Sequence, residues 1–99
     1  MAMTDERTSG YLAECFWPGV TEPDLCALDE RIVAATAELA GTGSAPQYLG
    51  SILMCADEVV LCLFEGSEAD VRAAAEQAAI PFERILATAH SPWPAPPRP

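Results

Sequence analysis

The sequence contains no lysine, and its 5 basic residues are arginines set against 15 acidic ones, for a net charge of −10. A chain this acidic repels a phosphate backbone, which excludes nucleic-acid binding. It also lacks an apolar run of about 18 residues, the length of a membrane span. Asp57 and Glu58 interrupt the most apolar stretch, residues 48–64. We therefore expect neither a nucleic acid nor a membrane as a partner.

Signals for export and for disulfide formation are also missing. Residues 1–9 have neither the basic start nor the apolar centre of a signal peptide. None of the 4 cysteines forms a Cys-x-x-Cys pair. We expect a cytoplasmic protein whose thiols stay reduced and are mostly small core residues.

Catalytic motifs are scarce as well. The chain has no glycine-rich phosphate loop, and its single histidine is His90, near the C-terminus. Ser51 has no histidine or acid at a recognisable offset, so a nucleophilic triad is not indicated. The sequence alone does not name a reaction.

Length and composition indicate one small domain. The chain has 99 residues, of which 51% are hydrophobic, and a positive mean hydropathy excludes a disordered chain. A domain of this size buries only about two-thirds of its unfolded surface, so oligomerisation is a natural source of stability. We place the domain at residues 10–90, after a disordered tail at 1–9. A proline-rich tail at 91–99 follows, whose Trp93 packs on a neighbouring subunit or on nothing.

Two similar helix caps organise the chain. Thr21 with Asp24, and Ser67 with Asp70, each predict a helix start that follows a strand. Gly41 ends the first helix. Apolar residues at spacings of three and four form its buried stripe, which comprises Leu25, Leu28, Ile32, Ala35 and Leu39. The acidic residues of this helix are expected on a solvated face; they are Asp29, Glu30 and Glu38.

The remaining apolar runs predict the other strands. A first strand is expected at 10–17, a hairpin at 46–54 and 59–65, and a last strand at 82–89. The second helix buries Val71, Ala74, Ala75 and Ala78 and stops before Pro81. The order βαββαβ predicts a ferredoxin-like α+β fold: a four-stranded antiparallel sheet with both helices on one face.

In nearly every predicted strand, both alternating sets of residues, which point to opposite faces of the sheet, are apolar. An antiparallel sheet with one face open to water should instead alternate apolar and polar residues. An exposed apolar face of that size marks an interface or a ligand cavity. We predict that a second copy of the chain covers it, in a homodimer or higher oligomer of the dimeric α+β barrel type.

Glu14 lies inside the apolar first strand and is the best candidate for a site. If Leu61 and Leu63 face the helices, the open face collects Glu14 with three other residues, namely Tyr48, Cys62 and His90. A buried carboxylate must be paired, protonated or bound to a ligand or metal.

Simpler interpretations compete with that site. In these interpretations, Glu14 pairs with Arg84 or lies exposed at an edge of the sheet. Cys62 is then a small core residue, and His90 is an exposed residue near the terminus. Glutamate, cysteine and histidine would suit zinc or nickel, but Glu14, Cys62 and His90 have no diagnostic metal spacing.

Several segments together resemble a known family. They are Tyr-Leu-Ala-Glu at 11–14, Phe-Trp-Pro-Gly at 16–19, Tyr-Leu-Gly-Ser at 48–51, the run at 57–65, and Ile-Pro-Phe-Glu-Arg-Ile at 80–85. Across residues 10–89 the chain resembles a family of small, mostly bacterial domains of unknown function that includes an actinobacterial nickel-binding protein. The resemblance implies an oligomeric ferredoxin-like domain. It also implies that Glu14, Ser51, Cys62 and Glu65 occupy positions where the family tends to keep those residue types.

Departures from the family pattern limit what it implies. Gly50 stands where members commonly have histidine, and Ile52 where they have tyrosine. A nitrogen ligand is therefore missing, and the resemblance does not imply nickel binding for this chain without a measurement. Ala79 stands where a glycine usually ends the second helix. The alanine-rich, lysine-free composition is typical of a GC-rich actinobacterial genome.

Two classes of function remain open. The first, which we favour, is a non-catalytic oligomeric module that needs no cofactor. It would bind a small ligand, or a nickel or zinc ion, on the open sheet face. Its ligand-binding candidates are Glu14, Tyr48, Ser51 and Cys62. The second is a cofactor-free enzyme of the dimeric α+β barrel kind, a monooxygenase or isomerase with Glu14 as general base.

Overall fold

A computed structural model describes residues 8–90 of the chain, with side chains from Gly10 to Ala89. The elements, in chain order, are β1 (Thr8–Phe16), α1 (Glu22–Ala40), β2 (Gln47–Met54), β3 (Val59–Glu65), α2 (Glu68–Gln77) and β4 (Arg84–His90). The predicted ferredoxin-like α+β fold is confirmed. β1 begins at Thr8, inside the predicted N-terminal tail. The rest of that tail and the proline-rich tail at 91–99 lie outside the described residues.

Both helices start at the predicted caps. The Thr21 hydroxyl accepts a hydrogen bond from the Asp24 amide at 3.2 Å, and the Thr21 amide donates to the Asp24 carboxylate at 3.0 Å. The Ser67 hydroxyl accepts from the Asp70 amide at 3.1 Å. These bonds satisfy amides that have no partner within the helix, so the local sequence decides where each helix begins. Neither helix of the described region is both long and apolar enough to cross a membrane.

The four strands form one antiparallel sheet in the order β2-β3-β1-β4. At the centre of the sheet, Ala13 of β1 lies opposite Cys62 of β3, and Glu14 lies opposite Leu61. On its other side Glu14 lies opposite Arg84 of β4. Glu14 is therefore placed in a central strand, between an apolar residue and a cation.

The core lies between the helices and one face of the sheet. Leu28 and Ile32 of α1 and Val71 of α2 are fully buried against Val60 and Phe64 of the sheet. The predicted stripe of α1 is confirmed at Leu28, Ile32 and Ala35, and the predicted inner face of α2 is confirmed at all four positions. Arg31 of α1 donates from Nε to the Ala78 carbonyl at 2.9 Å and so links α1 to the C-terminal end of α2.

The face expected for Cys62 and the leucines of β3 is wrong. Cys62 is fully buried beneath the helices together with its opposite residue Ala13, so Leu61 and Leu63 point to the other side of the sheet. Because successive strand residues alternate between faces, this one fact assigns every residue of β3. Both alternating sets of β3 residues are apolar, so the sequence pattern does not indicate which set faces the helices.

The end of α2 places Ala79 in the left-handed region, with φ of 56°. The Ala79 amide bonds the Glu76 carbonyl at 3.1 Å, and the Ile80 amide bonds the Ala75 carbonyl at 2.9 Å, which is the pattern of a Schellman motif. Glycine normally occupies this position because a Cβ is disfavoured there.

We expect Ala79→Gly to raise the free energy of unfolding by about 0.5–1 kcal/mol, since the substitution removes that steric cost. Urea denaturation at a fixed protein concentration measures the change. Ala73→Gly is the matched control: Ala73 is exposed in the middle of α2, where glycine should lower stability by about 1 kcal/mol. A loss of stability in both variants would contradict the left-handed conformation of Ala79.

Candidate functional site

Glu14 forms an ion pair with Arg84 across β1 and β4. The Arg84 Nε lies 2.5 Å from the Glu14 Oε1. The hydrogen bond and the negative charge of Glu14 raise the pKa of Arg84. The interpretation of Glu14 as a residue paired with Arg84 is confirmed.

The ion pair lies on the side of the sheet away from the helices. We call this side the open face and define it by Leu12, Glu14, Phe16, Ile52, Met54, Val59, Leu61, Leu63, Arg84 and Leu86, which the strand registers place together. Phe16 is 53% exposed and Ile52 is 49% exposed. Gln47 and Glu65 form a polar end to this face. The predicted apolar face is therefore present, and no helix of the described residues covers it.

A second polar group lies on the helix side of the sheet. The Tyr48 hydroxyl and the Ser51 hydroxyl, both from β2, donate hydrogen bonds to the same Oδ1 of Asp29 in α1, the latter at 3.0 Å. We call these three residues the Asp29 cluster. Its bonds connect α1 to the edge strand β2 and fix their relative position.

The expected solvated position of Asp29 is wrong, because the side chain is half-buried and accepts two hydrogen bonds. The spacing of Asp29 from the apolar residues of α1 indicates this half-buried position. Asp29 follows Leu25 by four residues and precedes Ile32 by three, so it lies at the border of the buried stripe. Glu30 and Glu38 are exposed as predicted.

Tyr48 is buried in part and bonded within the Asp29 cluster. Burial, followed by the hydrogen bond to Asp29, raises the pKa of the Tyr48 phenol. Its ring also packs on Phe64, with ring centroids 5.2 Å apart. Tyr48 is thus a neutral donor that combines core packing with a bond to α1.

Cys62 behaves as a core residue. The hydrogen bond with the Cys15 thiol, followed by burial, raises the pKa of the Cys62 thiol, and both side chains are fully buried. Thiolates, not thiols, attack electrophiles and bind metals. The position of Cys62 therefore fits the interpretation of a small core residue.

The expected grouping of the candidate residues is wrong in its geometry. Glu14 lies on the open face, whereas Tyr48, Ser51 and Cys62 lie on the helix side of the sheet. Asp29 lies there with them, and the sequence analysis did not identify it as a partner of Tyr48 and Ser51. A single metal ion cannot contact both Glu14 and Cys62 of one chain, because the sheet separates them. His90 closes β4 opposite Thr8, and its side chain lies outside the described residues.

Within residues 8–90, no group of three or more histidine, cysteine, aspartate or glutamate side chains is arranged to hold a metal ion. The candidate residues take part in two polar groups, the Glu14–Arg84 pair and the Asp29 cluster. The first is partly exposed within an apolar face. The second is a bonded contact between a helix and a strand.

The fold and these features define a ferredoxin-like α+β domain in which neither helix of residues 8–90 covers the second face of the sheet. No family model matches the chain, and comparisons with curated proteins and with solved structures give no significant match.

Proposed function

We propose that the chain is a self-associating ferredoxin-like binding module in which the open face packs against the open face of a second copy. The observation that carries the proposal is the apolar character of this face, because large exposed apolar patches mark interaction sites. A small ligand of the module would lie between the two faces, where its surroundings are apolar apart from the Glu14–Arg84 pair and the polar end at Gln47 and Glu65. The free cysteines, of which Cys26 and Cys55 are exposed, support a reducing, cytoplasmic location.

A cofactor-free enzyme with Glu14 as general base has less support. A base must lie within hydrogen-bond reach of a substrate proton that the site holds in position. One oxygen of Glu14 accepts the hydrogen bond from Arg84, and its other neighbours on the open face, Leu12, Phe16 and Leu61, have no polar group to orient a substrate. The Asp29 cluster gives no better base, since the Asp29 carboxylate is half-buried between α1 and β2 and already accepts two hydroxyl hydrogen bonds that hold these elements together. We therefore favour the non-catalytic module.

Sedimentation velocity on the full chain tests the proposal, and we expect a dimer. Ile52→Arg should weaken association about 100-fold or more, because each interface would then bury two unpaired charges. Ile52 is 49% exposed in the single chain, so the substitution should leave the fold intact.

Val33→Arg is the matched control. Val33 is 57% exposed on α1, outside the open face, and undergoes a similar change of an exposed β-branched residue to arginine. It should leave association unchanged. A monomeric parent chain would overturn the proposal. A parent monomer that dimerises once the chain is ended at His90 would instead assign the open face to residues 91–99.

A further inference from the structure

The ion pair between Glu14 and Arg84 is a charged feature that lies among apolar residues of the open face, away from its polar end at Gln47 and Glu65. Leu12 and Phe16 flank Glu14 along β1, and Leu61 lies opposite it on β3. One carboxylate and one guanidinium sum to zero charge, whereas the whole chain carries −10. Glu65, at the polar end of the open face, is the other charged residue that the strand registers place there. Two copies of this acidic chain can therefore approach through the region of the Glu14–Arg84 pair with little local repulsion.

The exposure of the pair indicates what kind of partner can cover it. The Arg84 side chain is 63% exposed and that of Glu14 is 28% exposed. A guanidinium has five N–H donors, and the contact with Glu14 uses the Nε–H. An apolar partner would remove water from the remaining donors and offer no acceptor in return, which is unfavourable. A second copy brings a carboxylate of its own.

We infer that the Glu14–Arg84 pair of one copy meets the Arg84–Glu14 pair of the second copy and thereby selects the register in which the two open faces pack. The inference rests on the proposed function, since it needs the two faces to meet. In a two-fold symmetric interface every contact occurs twice, so each guanidinium gains a second carboxylate. A shifted register would bury these charges against leucine and phenylalanine, where they have no partner. The pair thus specifies the partner as a second copy of this chain.

Charge reversal at the two positions tests this inference. Glu14→Arg places two cations on the open face and Arg84→Glu places two anions there. Each variant alone should dimerise about 100-fold more weakly than the parent, because its homodimer brings four like charges together. The double variant Glu14→Arg/Arg84→Glu restores the pair with exchanged positions and should recover most of the parent affinity.

A mixture of the two single variants is the decisive measurement. If the pairs meet across the interface, an equimolar mixture should form a heterodimer in native mass spectrometry, well above the amount of either homodimer. Circular dichroism shows whether a charge reversal disturbs folding. If it does, the milder variants Glu14→Gln and Arg84→Gln replace the reversals in the test. Each should weaken the dimer about tenfold.

The pair Glu68–Arg72 on α2 is the matched control. Its atoms lie 3.2 Å apart and its side chains are 55% and 46% exposed, but it lies on a helix and not on the open face. Reversal of either charge should leave dimerisation unchanged. A dimeric parent whose single variants do not form the heterodimer would overturn the inference and leave the proposed function standing. A monomeric parent would overturn both.

Discussion

Gly10→Ala should lower the free energy of unfolding by about 3 kcal/mol, the upper part of the range for adding atoms to a packed region. A Cβ at Gly10 would meet the backbone carbonyl oxygen of Phe64 on the neighbouring strand β3. Backbone atoms of paired strands cannot rotate away as a side chain can. The two central strands of the sheet would have to separate locally, and the hydrogen bonds between them would weaken.

Urea denaturation at a fixed protein concentration measures this effect, because association would otherwise contribute to stability. Gly41→Ala is the control. Gly41 is exposed at the end of α1 with φ of −65°, a conformation that alanine adopts readily, and a Cβ there would lie 3.3 Å from the Glu38 carbonyl oxygen, a contact that a small shift relieves. It should change stability by no more than about 0.5 kcal/mol. Equal effects of the two substitutions would show that β1 and β3 do not approach as closely as described.

Asp29→Ala should lower the free energy of unfolding by about 2 kcal/mol. The substitution leaves the hydroxyls of Tyr48 and Ser51 half-buried without their acceptor, and hydrogen bonds to a charged acceptor contribute about 1.5–3 kcal/mol. Asp29→Asn keeps an acceptor oxygen and should cost less. α1 and the edge strand β2 would lose the two side-chain hydrogen bonds that join them.

The matched control for this prediction is Glu30→Ala. Glu30 is the next residue of α1 and is exposed, so its removal should change stability by no more than about 0.5 kcal/mol. A double-mutant cycle with Tyr48→Phe measures the coupling between Tyr48 and Asp29 directly. Additive effects of Asp29→Ala and Tyr48→Phe would refute the Asp29 cluster as a bonded unit.

Local features of the fold were predictable from the sequence. The caps at Thr21 and Ser67 and the bounds of β3 agree with the structure. These features depend on interactions within a few residues, such as a hydroxyl that accepts a bond from the third amide of its helix. The apolar character of the open face was also predictable, because it depends only on composition along the strands.

The candidate site was predictable only in part. The Glu14–Arg84 pair was one of two interpretations, and the register of β1 with β4 decides between them. The Asp29 cluster was missed because it joins residues 19 and 22 positions apart in the chain. A carboxylate at the border of a helix stripe can turn to solvent or to a neighbouring strand, and only the position of β2 decides which.

The sequence by itself determined the order of the elements, the starts of both helices and the existence of two apolar sheet faces. Tertiary structure decided which residues share each face. A shift of one residue in strand register exchanges the two faces, and in β3, where both parities are apolar, hydrophobic patterning does not choose between them. The fully buried pair Ala13 and Cys62 settles the choice, and it leaves Glu14 with Arg84 on the open face.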